Sequence, residues 1–312
     1  MKELKNELTW SISRGQLFQE CPRAYYYNYY ASWGGWKQDA PDQAKLAYLL
    51  KNLQRLVLWA GSIVHETIKD ALSLTAATGE RIPLAKLQEN AVIKMRNGWR
   101  EALDKKWLVS PKRTNIFELY YGDGENYGEC RHLPRETTDA IKQRVLDCME
   151  GFFYSPAVKE IHQTPPSQWQ PIDTLDSFEL DGIKVWCAPD FAFQDAEGVF
   201  HILDWKTGEE NVRTISQQLA CYALFAMNKW NVSLERIRIQ GVFLKDGGRV
   251  RTYDLNQESI DTVTKQIHDS YNAMREKLTD ADANVAEEEN FPRRLLESRC
   301  ANCQFRRICL QG

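Results

Sequence analysis

Asp204 and Lys206 stand two residues apart in the stretch from Trp186 to Gly208, WCAPDFAFQDAEGVFHILDWKTG, and a further carboxylate, Asp190, precedes them. Residues two apart on a strand leave the same face, so the spacing predicts a carboxylate and an ammonium pointing together. Apolar and β-branched residues run to Asp190-Phe191-Ala192-Phe193, break at Asp195-Ala196-Glu197-Gly198 and resume as Val199-Phe200-His201-Ile202-Leu203, the pattern of a β-hairpin. Asp190 can then lie beside the pair from the partner strand. Such charges are costly to bury unless something neutralises them. Hard carboxylate oxygens suit Mg²⁺ or Mn²⁺. Such an ion polarises a phosphoryl oxygen and lowers the pKa of a bound water, while the lysine orients that water or offsets charge in the transition state. The alternative is a surface hairpin whose Asp and Lys make an ordinary exposed ion pair.

The elements that must position these residues are legible on both sides. A strand-rich region begins near Ile172 and leads into the hairpin; after Gly208 the pattern predicts a helix over about 214–230, with Gln218 and Tyr222 one turn apart on one face. A second hairpin over 236–255 turns at Asp246-Gly247-Gly248, and a long helix covers 258–278. Upstream the chain reads as helical. Residues 41–77 carry an apolar face at Leu46, Leu49, Leu50, Leu53, Leu56 and Val57, interrupted at Gly61, after which Val64, Ile68 and Leu72 line one side with His65 beside them. Amphipathic helices follow over 83–108 and 135–154. Between them, residues 111–136 read as loop or irregular insertion. There Tyr120, Tyr121 and Tyr127 interleave with Lys112, Arg113, Arg131 and Arg135, either as a flank for single-stranded nucleic acid or as a solvated loop with its tyrosines packed beneath. The acidic segment TDADANVAEEEN reads as a solvated linker or mobile loop.

At 312 residues, 43% hydrophobic and 27% charged, the chain can build one large core or two modest domains. A formal net charge of -3 argues against a broadly basic nucleic-acid coat, although a local groove can still be positive. No apolar run approaches the roughly 18 residues that span a bilayer, and the start MKELKNELTW lacks the apolar core of a signal peptide, so a cytoplasmic protein is expected. No G-x4-G-K-[ST] sequence is present, so no fused P-loop ATPase is expected.

Eight cysteines in a reducing compartment are poor disulfide candidates. Cys300, Cys303 and Cys309 sit together, and Cys21 at the other end of the chain is a candidate fourth ligand. Four thiolates suit Zn²⁺ or an iron-sulfur cluster; free thiols clustered by chance are the alternative. Cys130, Cys148, Cys187 and Cys221 read as small buried hydrophobes. Arg293, Arg294, Arg299, Arg306 and Arg307 crowd the late cysteines, where they either offset the charge of a thiolate-bound cluster or grip nucleic-acid phosphates.

Pro189-Asp190, then thirteen residues, then Asp204-Trp205-Lys206 resembles the PD-(D/E)XK nuclease superfamily. Trp10-Ser11-Ile12-Ser13, Cys21-Pro22-Arg23 with its aromatic run, and the terminal three cysteines resemble more narrowly the iron-sulfur branch of the RecB-like nucleases, which includes the AddB nuclease domain and the CRISPR-associated exonucleases. Gly61-x3-His65 and Gln218-x3-Tyr222 are similar to motifs of the same group. The resemblance implies catalytic Asp190, Asp204, Lys206, Gln218 and Tyr222, with a Mg²⁺ or Mn²⁺ site at His65, Asp190 and Asp204. It also implies a [4Fe-4S] cluster on Cys21, Cys300, Cys303 and Cys309. The fold it implies is α/β, a restriction-endonuclease-like mixed central sheet flanked by helices. On that reading residues 1–312 are a single nuclease domain with a mainly helical insertion over 42–155 and a C-terminal iron-sulfur staple at 291–312 with Cys21. The expected activity is a metal-dependent deoxyribonuclease, an exonuclease at single-stranded DNA ends in DNA processing, repair or antiviral defence. Its partners would be DNA and, for unwinding, a helicase supplied in trans, with no membrane. A nucleic-acid-binding or assembly module that keeps the fold, and a restriction-like endonuclease, are the competing readings.

Overall fold

A computed structural model describes residues 4–122, 126–209 and 212–310, the last segment without the side chains of 212–215. They fall into two compact units, one within Met1–Arg55, Gly98–His132 and Lys265–Gly312, the other within Leu56–Asn97 and Leu133–Thr264. Helices come first. α1 (Ile12–Glu20) starts where the Ser11 hydroxyl accepts the Arg14 N–H at 3.2 Å, an N-cap. It ends at Cys21, and Pro22 opens α2 (Pro22–Tyr26), a position where its missing N–H does no harm. Then come α3 (Asp42–Lys51), α4 (Leu56–Thr78), α5 (Leu84–Leu103), α6 (Phe117–Tyr121), α7 (Arg135–Tyr154) and α8 (Pro156–Gln163). Among the described residues of 42–155 there is no strand.

Among the described residues six strands follow: β1 (Asp176–Leu180), β2 (Ile183–Cys187), β3 (Phe191–Gln194), β4 (Phe200–Lys206), β5 (Ile237–Phe243) and β6 (Arg249–Tyr253). The first two form a separate antiparallel pair, and the other four make a mixed sheet in the order β3-β4-β5-β6. β3 pairs antiparallel with β4, with Phe191 opposite Leu203, which confirms the expected hairpin. Its turn is held by Asp195, whose carboxylate accepts the N–H groups of Glu197 and Val199 and meets His201 Nε2 at 2.8 Å. β4 runs parallel to β5, joined through α9 (Val212–Lys229); β5 and β6 form the second expected hairpin. From His201 to Trp205, β4 is buried residue after residue, the signature of a central strand covered on both faces. Two short helices, α11 (Glu297–Ala301) and α12 (Arg306–Cys309), follow α10 (Gln257–Arg275). Among the described residues no helix is long and apolar enough to cross a membrane.

Four local expectations need correction. Gly61 does not interrupt the helical region: the break falls between α3 and α4. There the backbone of Gln54 leaves the helix to bond Asn115 C=O at 2.9 Å and Phe117 N–H at 2.8 Å. Gly61 instead lies inside α4, which packs against α7 in the same unit. A Cβ on it would meet Thr207 Oγ1 at 3.3 Å, a tight approach to a side chain and not to backbone, and the helix runs through the glycine despite its low helix propensity. The acidic segment is tied down: Tyr30 donates to Asn284 at 2.9 Å, Tyr27 donates to Glu288 at 2.7 Å, Arg23 pairs with Glu288, and Phe291 is fully buried. The segment read as loop or irregular insertion holds α6, and of the two readings of its tyrosines the packed one holds: Tyr120 and Tyr121 are buried in an aromatic cluster with Tyr27, Trp107, Phe117 and Phe305. Cys148, Cys187 and Cys221 are buried as expected, but Cys130 is half-exposed and donates to the His132 carbonyl at 3.1 Å.

Candidate active site

Asp190 sits one residue before β3, where the hairpin register brings it beside the end of β4. One carboxylate oxygen accepts the Trp205 N–H at 2.7 Å, and the other meets His65 Nδ1 at 3.1 Å. His65 reaches it from α4. Asp204 and Lys206 share a face of β4, and the Lys206 ammonium is ion-paired with Asp204 Oδ2. The Asp204 side chain is almost fully buried. The ammonium also donates to Gln218 Oε1 on α9 at 2.8 Å, Gln218 Nε2 donates to the Tyr222 hydroxyl at 2.8 Å, and Tyr222 donates to the Ala188 carbonyl at 3.1 Å. The polar face of α9 thus runs as one chain of hydrogen bonds from Lys206 to the residue two before Asp190. All six sequence-predicted residues, His65, Asp190, Asp204, Lys206, Gln218 and Tyr222, are brought together.

Burial sets the electrostatics. Asp204 is almost wholly enclosed, and that burial, with the Asp190 charge, raises its pKa against the pull of Lys206 and His65. Burial works against protonating His65. The charge and hydrogen bond of Asp190, followed by the charges of Asp204 and Asp173, outweigh it and raise its pKa. Burial, then Asp204 and Asp190, drive the Tyr222 phenol far up, so it stays a hydrogen-bond donor. A site whose like charges and desolvation oppose ionisation invites a cation. The donor set fits a hard divalent ion by its chemistry: the buried carboxylates of Asp190 and Asp204, with the His65 imidazole alongside. Among the described residues no group of three or more His, Cys, Asp or Glu side chains is already arranged around an ion position. In this structure the Lys206 ammonium supplies the Asp204 counter-charge. A bound ion would supply phosphoryl polarisation and an activated water. Gln218 and Tyr222 keep Lys206 and the Ala188 segment in place, which is a positioning role.

Sequence reasoning missed two neighbours of the site. Lys69, one turn beyond His65 on α4, donates to the Asp173 carbonyl at 2.7 Å, and the Asp173 N–H bonds the Asp190 carbonyl at 3.1 Å. Asp173 holds a left-handed backbone at φ 41°. Arg144 on α7 donates to the Thr207 carbonyl at 2.6 Å, bracing the residue after Lys206. The i, i+4 spacing of His65 and Lys69 was available as a signal; Arg144 is 63 residues from its partner and had none.

In the other unit, Cys21, Cys300, Cys303 and Cys309 line one cavity of about 250 Å³. Cys21 is placed there as the joint between α1 and α2, and the late three by the turns of α11 and α12. Burial pushes the Cys303 thiol up to about 11; a hydrogen bond with the Phe305 backbone opposes the rise, and Cys21, Cys309 and Cys300 add to it. Four thiols lining one cavity are a donor set that a metal group could bind as thiolates. Of the arginines around them, Arg293, Arg294 and Arg299 are exposed and Arg306 and Arg307 half-buried, and several are tied to their own unit. Arg294 donates to the Gln19 carbonyl, Arg306 stacks 3.9 Å above Tyr121, and Arg307 donates to the Tyr120 hydroxyl at 2.7 Å. Arg293 lines the cavity and lowers the Cys309 thiol against the dominant effect of burial.

In the mixed sheet the central strand ends in a carboxylate and a lysine, with a second carboxylate and a histidine converging on it. The chain belongs to the PD-(D/E)XK nuclease superfamily, whose family model matches residues 9–310. Members are generally nuclease hydrolases that typically use Mg²⁺ or Mn²⁺, which implies a nucleic-acid substrate. No curated protein sequence matches the chain.

Proposed function

We propose that this chain is a metal-dependent deoxyribonuclease of the RecB-like iron-sulfur branch, hydrolysing phosphodiester bonds at the ends of single-stranded DNA. The observation that carries the reading is the continuous chain from Asp204 through Lys206, Gln218 and Tyr222 to Ala188 beside the Asp190–His65 pair. A binding module without activity has no need to bury two carboxylates and a lysine together, so the enzyme reading is preferred. Asp190, Asp204 and His65 would hold Mg²⁺ or Mn²⁺, Lys206 would act on the attacking water or the developing charge, and Gln218 and Tyr222 would hold Lys206.

The four thiols sharing one cavity support a [4Fe-4S] cluster on Cys21, Cys300, Cys303 and Cys309, with Zn²⁺ as the colourless alternative. Arg293, Arg294, Arg306 and Arg307 would chiefly offset its negative charge, since three of them spend donors or ring faces on their own unit. The family match over nearly the whole chain supports one nuclease domain over 1–312, with 42–155 as its helical insertion and 291–312 with Cys21 as the cluster region. A cytoplasmic role in DNA processing, repair or defence, with any helicase supplied in trans, completes the reading.

The test is cleavage of end-labelled linear and circular single-stranded DNA with Mn²⁺ and with Mg²⁺. Linear strands should shorten from an end while circles persist. Circles cut as fast as linear strands would make the enzyme an endonuclease, and cleavage of RNA in preference to DNA would overturn the substrate.

A further inference from the structure

A row of rings and cations runs from two exposed tryptophans through buried Tyr48 to the partly exposed Lys51, Tyr29 and Arg14 in the unit that holds the cysteines. Trp33 and Trp36 are 37% and 39% exposed and meet edge to face with centroids 5.1 Å apart. Trp36 rests on Tyr48 at 5.5 Å, Lys51 Nζ lies 5.7 Å from the Tyr48 ring and 6.0 Å from the Tyr29 ring, and the Arg14 guanidinium stands 4.2 Å over Tyr29. The turn that presents the tryptophans is built for it. Gly34 holds φ 78°, and a Cβ on Gly35 would fall 2.2 Å from the Ala44 carbonyl oxygen, so neither position accepts a side chain without moving α3 or the turn.

The charges in this row are of one sign. Lys51 donates to the Asn28 carbonyl at 3.0 Å, and its pKa is lowered by burial first and then by the charges of Arg14 and Lys112. Arg14 and Lys51 stand over aromatic rings here, and Lys112 is close enough for its charge to act on Lys51. Exposed hydrophobic residues scattered singly need no explanation. Two touching indoles beside cations of one sign do, because together they match the phosphate and base chemistry of an unpaired strand: cations for the backbone and flat rings on which splayed bases stack.

We propose that Trp33 and Trp36, with Arg14, Lys51 and Lys112, form a binding subsite for single-stranded nucleic acid. It deepens the nuclease reading, on which it rests, by giving the cysteine-bearing unit a grip of its own on unpaired substrate. Duplex is a poor occupant, since its bases are stacked inside and unavailable to the indoles.

The experiment measures fluorescence anisotropy of labelled oligo-dT binding to the full chain, with no divalent ion added, as a function of salt. Trp33→Ala and Trp36→Ala should each weaken binding about ten-fold, while Trp33→Phe, which keeps a stacking ring, should stay near wild type. Lys112 is exposed, so Lys112→Gln folds normally; it should reduce the slope of log affinity against log salt by about 0.7. Duplex of the same length should bind the tryptophan variants and wild type alike. Oligo-dT binding unchanged in both tryptophan variants, or a salt slope unchanged in Lys112→Gln, overturns the subsite, as does an equal loss for duplex. Adding Mn²⁺ to the same samples separates the two claims: wild-type cleavage with unaltered variant binding defeats the subsite alone, and altered binding without wild-type cleavage defeats the nuclease reading alone.

Discussion

Lys206 donates to Gln218 Oε1 at 2.8 Å while its ammonium is ion-paired with Asp204, so a residue on α9 helps fix where Lys206 points. Removing the lysine removes a charge from the reacting centre; removing the glutamine lets that charge wander. Lys206→Ala should therefore lower kcat by roughly 10²–10³. Gln218→Ala should lower it by about 10–100, the range for a group that orients another. Single-turnover cleavage with saturating Mn²⁺ measures both, and a Gln218→Ala loss as large as that of Lys206→Ala would give the glutamine a direct role.

Gly61 faces Thr207, the residue after Lys206. The neighbour is a side-chain hydroxyl that can rotate, so Gly61→Ala should be tolerated and raise stability by up to about 1 kcal/mol through helix propensity. Gly61→Val should push α4 away from Thr207 and reduce cleavage. Thermal melts paired with cleavage rates check both; a Gly61→Val variant with wild-type activity would show that the close approach is dispensable.

Burial favours the neutral form of Asp195, but the hydrogen bond from His201 and the N–H groups of Val199 and Glu197 outweigh it and lower its pKa. A depressed carboxylate contributes stability above its unfolded pKa, here 3.8, and loses it as pH falls through the folded value. Asp195→Ala should cost about 1 kcal/mol at neutral pH, and the gap from wild type should close in strongly acidic buffer. Denaturant melts across that range measure it. A gap independent of pH would mean that packing, not charge, is what Asp195 provides.

The catalytic hairpin was legible in the sequence because its pattern is local: period-two apolar residues, a turn at Asp195 to Gly198, and charges where a strand is normally apolar. Gln218 and Tyr222 were legible for the same reason, being one helical turn apart. What escaped depends on distance along the chain. The helix break at 52–55 arises from pairing of Gln54 with Ile116, and the acidic segment is ordered by Arg23, Tyr27 and Tyr30, more than 250 residues upstream. Propensity contains neither fact. Tyr120 and Tyr121, in basic surroundings, could be read as stacking platforms or as packed residues, and hydrophobic packing with Phe117 and Phe305 claims them. The exposed pair Trp33 and Trp36 lay in a stretch that no periodic pattern distinguished.

A group bound by thiols from both ends of the chain would stabilise the fold, because its site does not exist in the unfolded chain. Cys303→Ser should lower the melting temperature and the iron content of anaerobically purified protein together, while Cys148→Ser, in a different unit, should leave iron unchanged. A wild-type sample containing zinc but no iron would replace the cluster with a zinc site. Absence of both metals, with an unaltered melt for Cys303→Ser, would leave only free thiols.

Asp204 is the buried carboxylate on which the site converges, and Asp204→Asn keeps its size while removing its charge. Cleavage of linear single-stranded DNA by this variant, beside wild type, in Mn²⁺ and with folding verified by thermal melt, tests the account most directly. Loss of at least about a hundred-fold in rate with the melt preserved is the predicted result. Cleavage at the wild-type rate would contradict the assignment of Asp204, and with it the site.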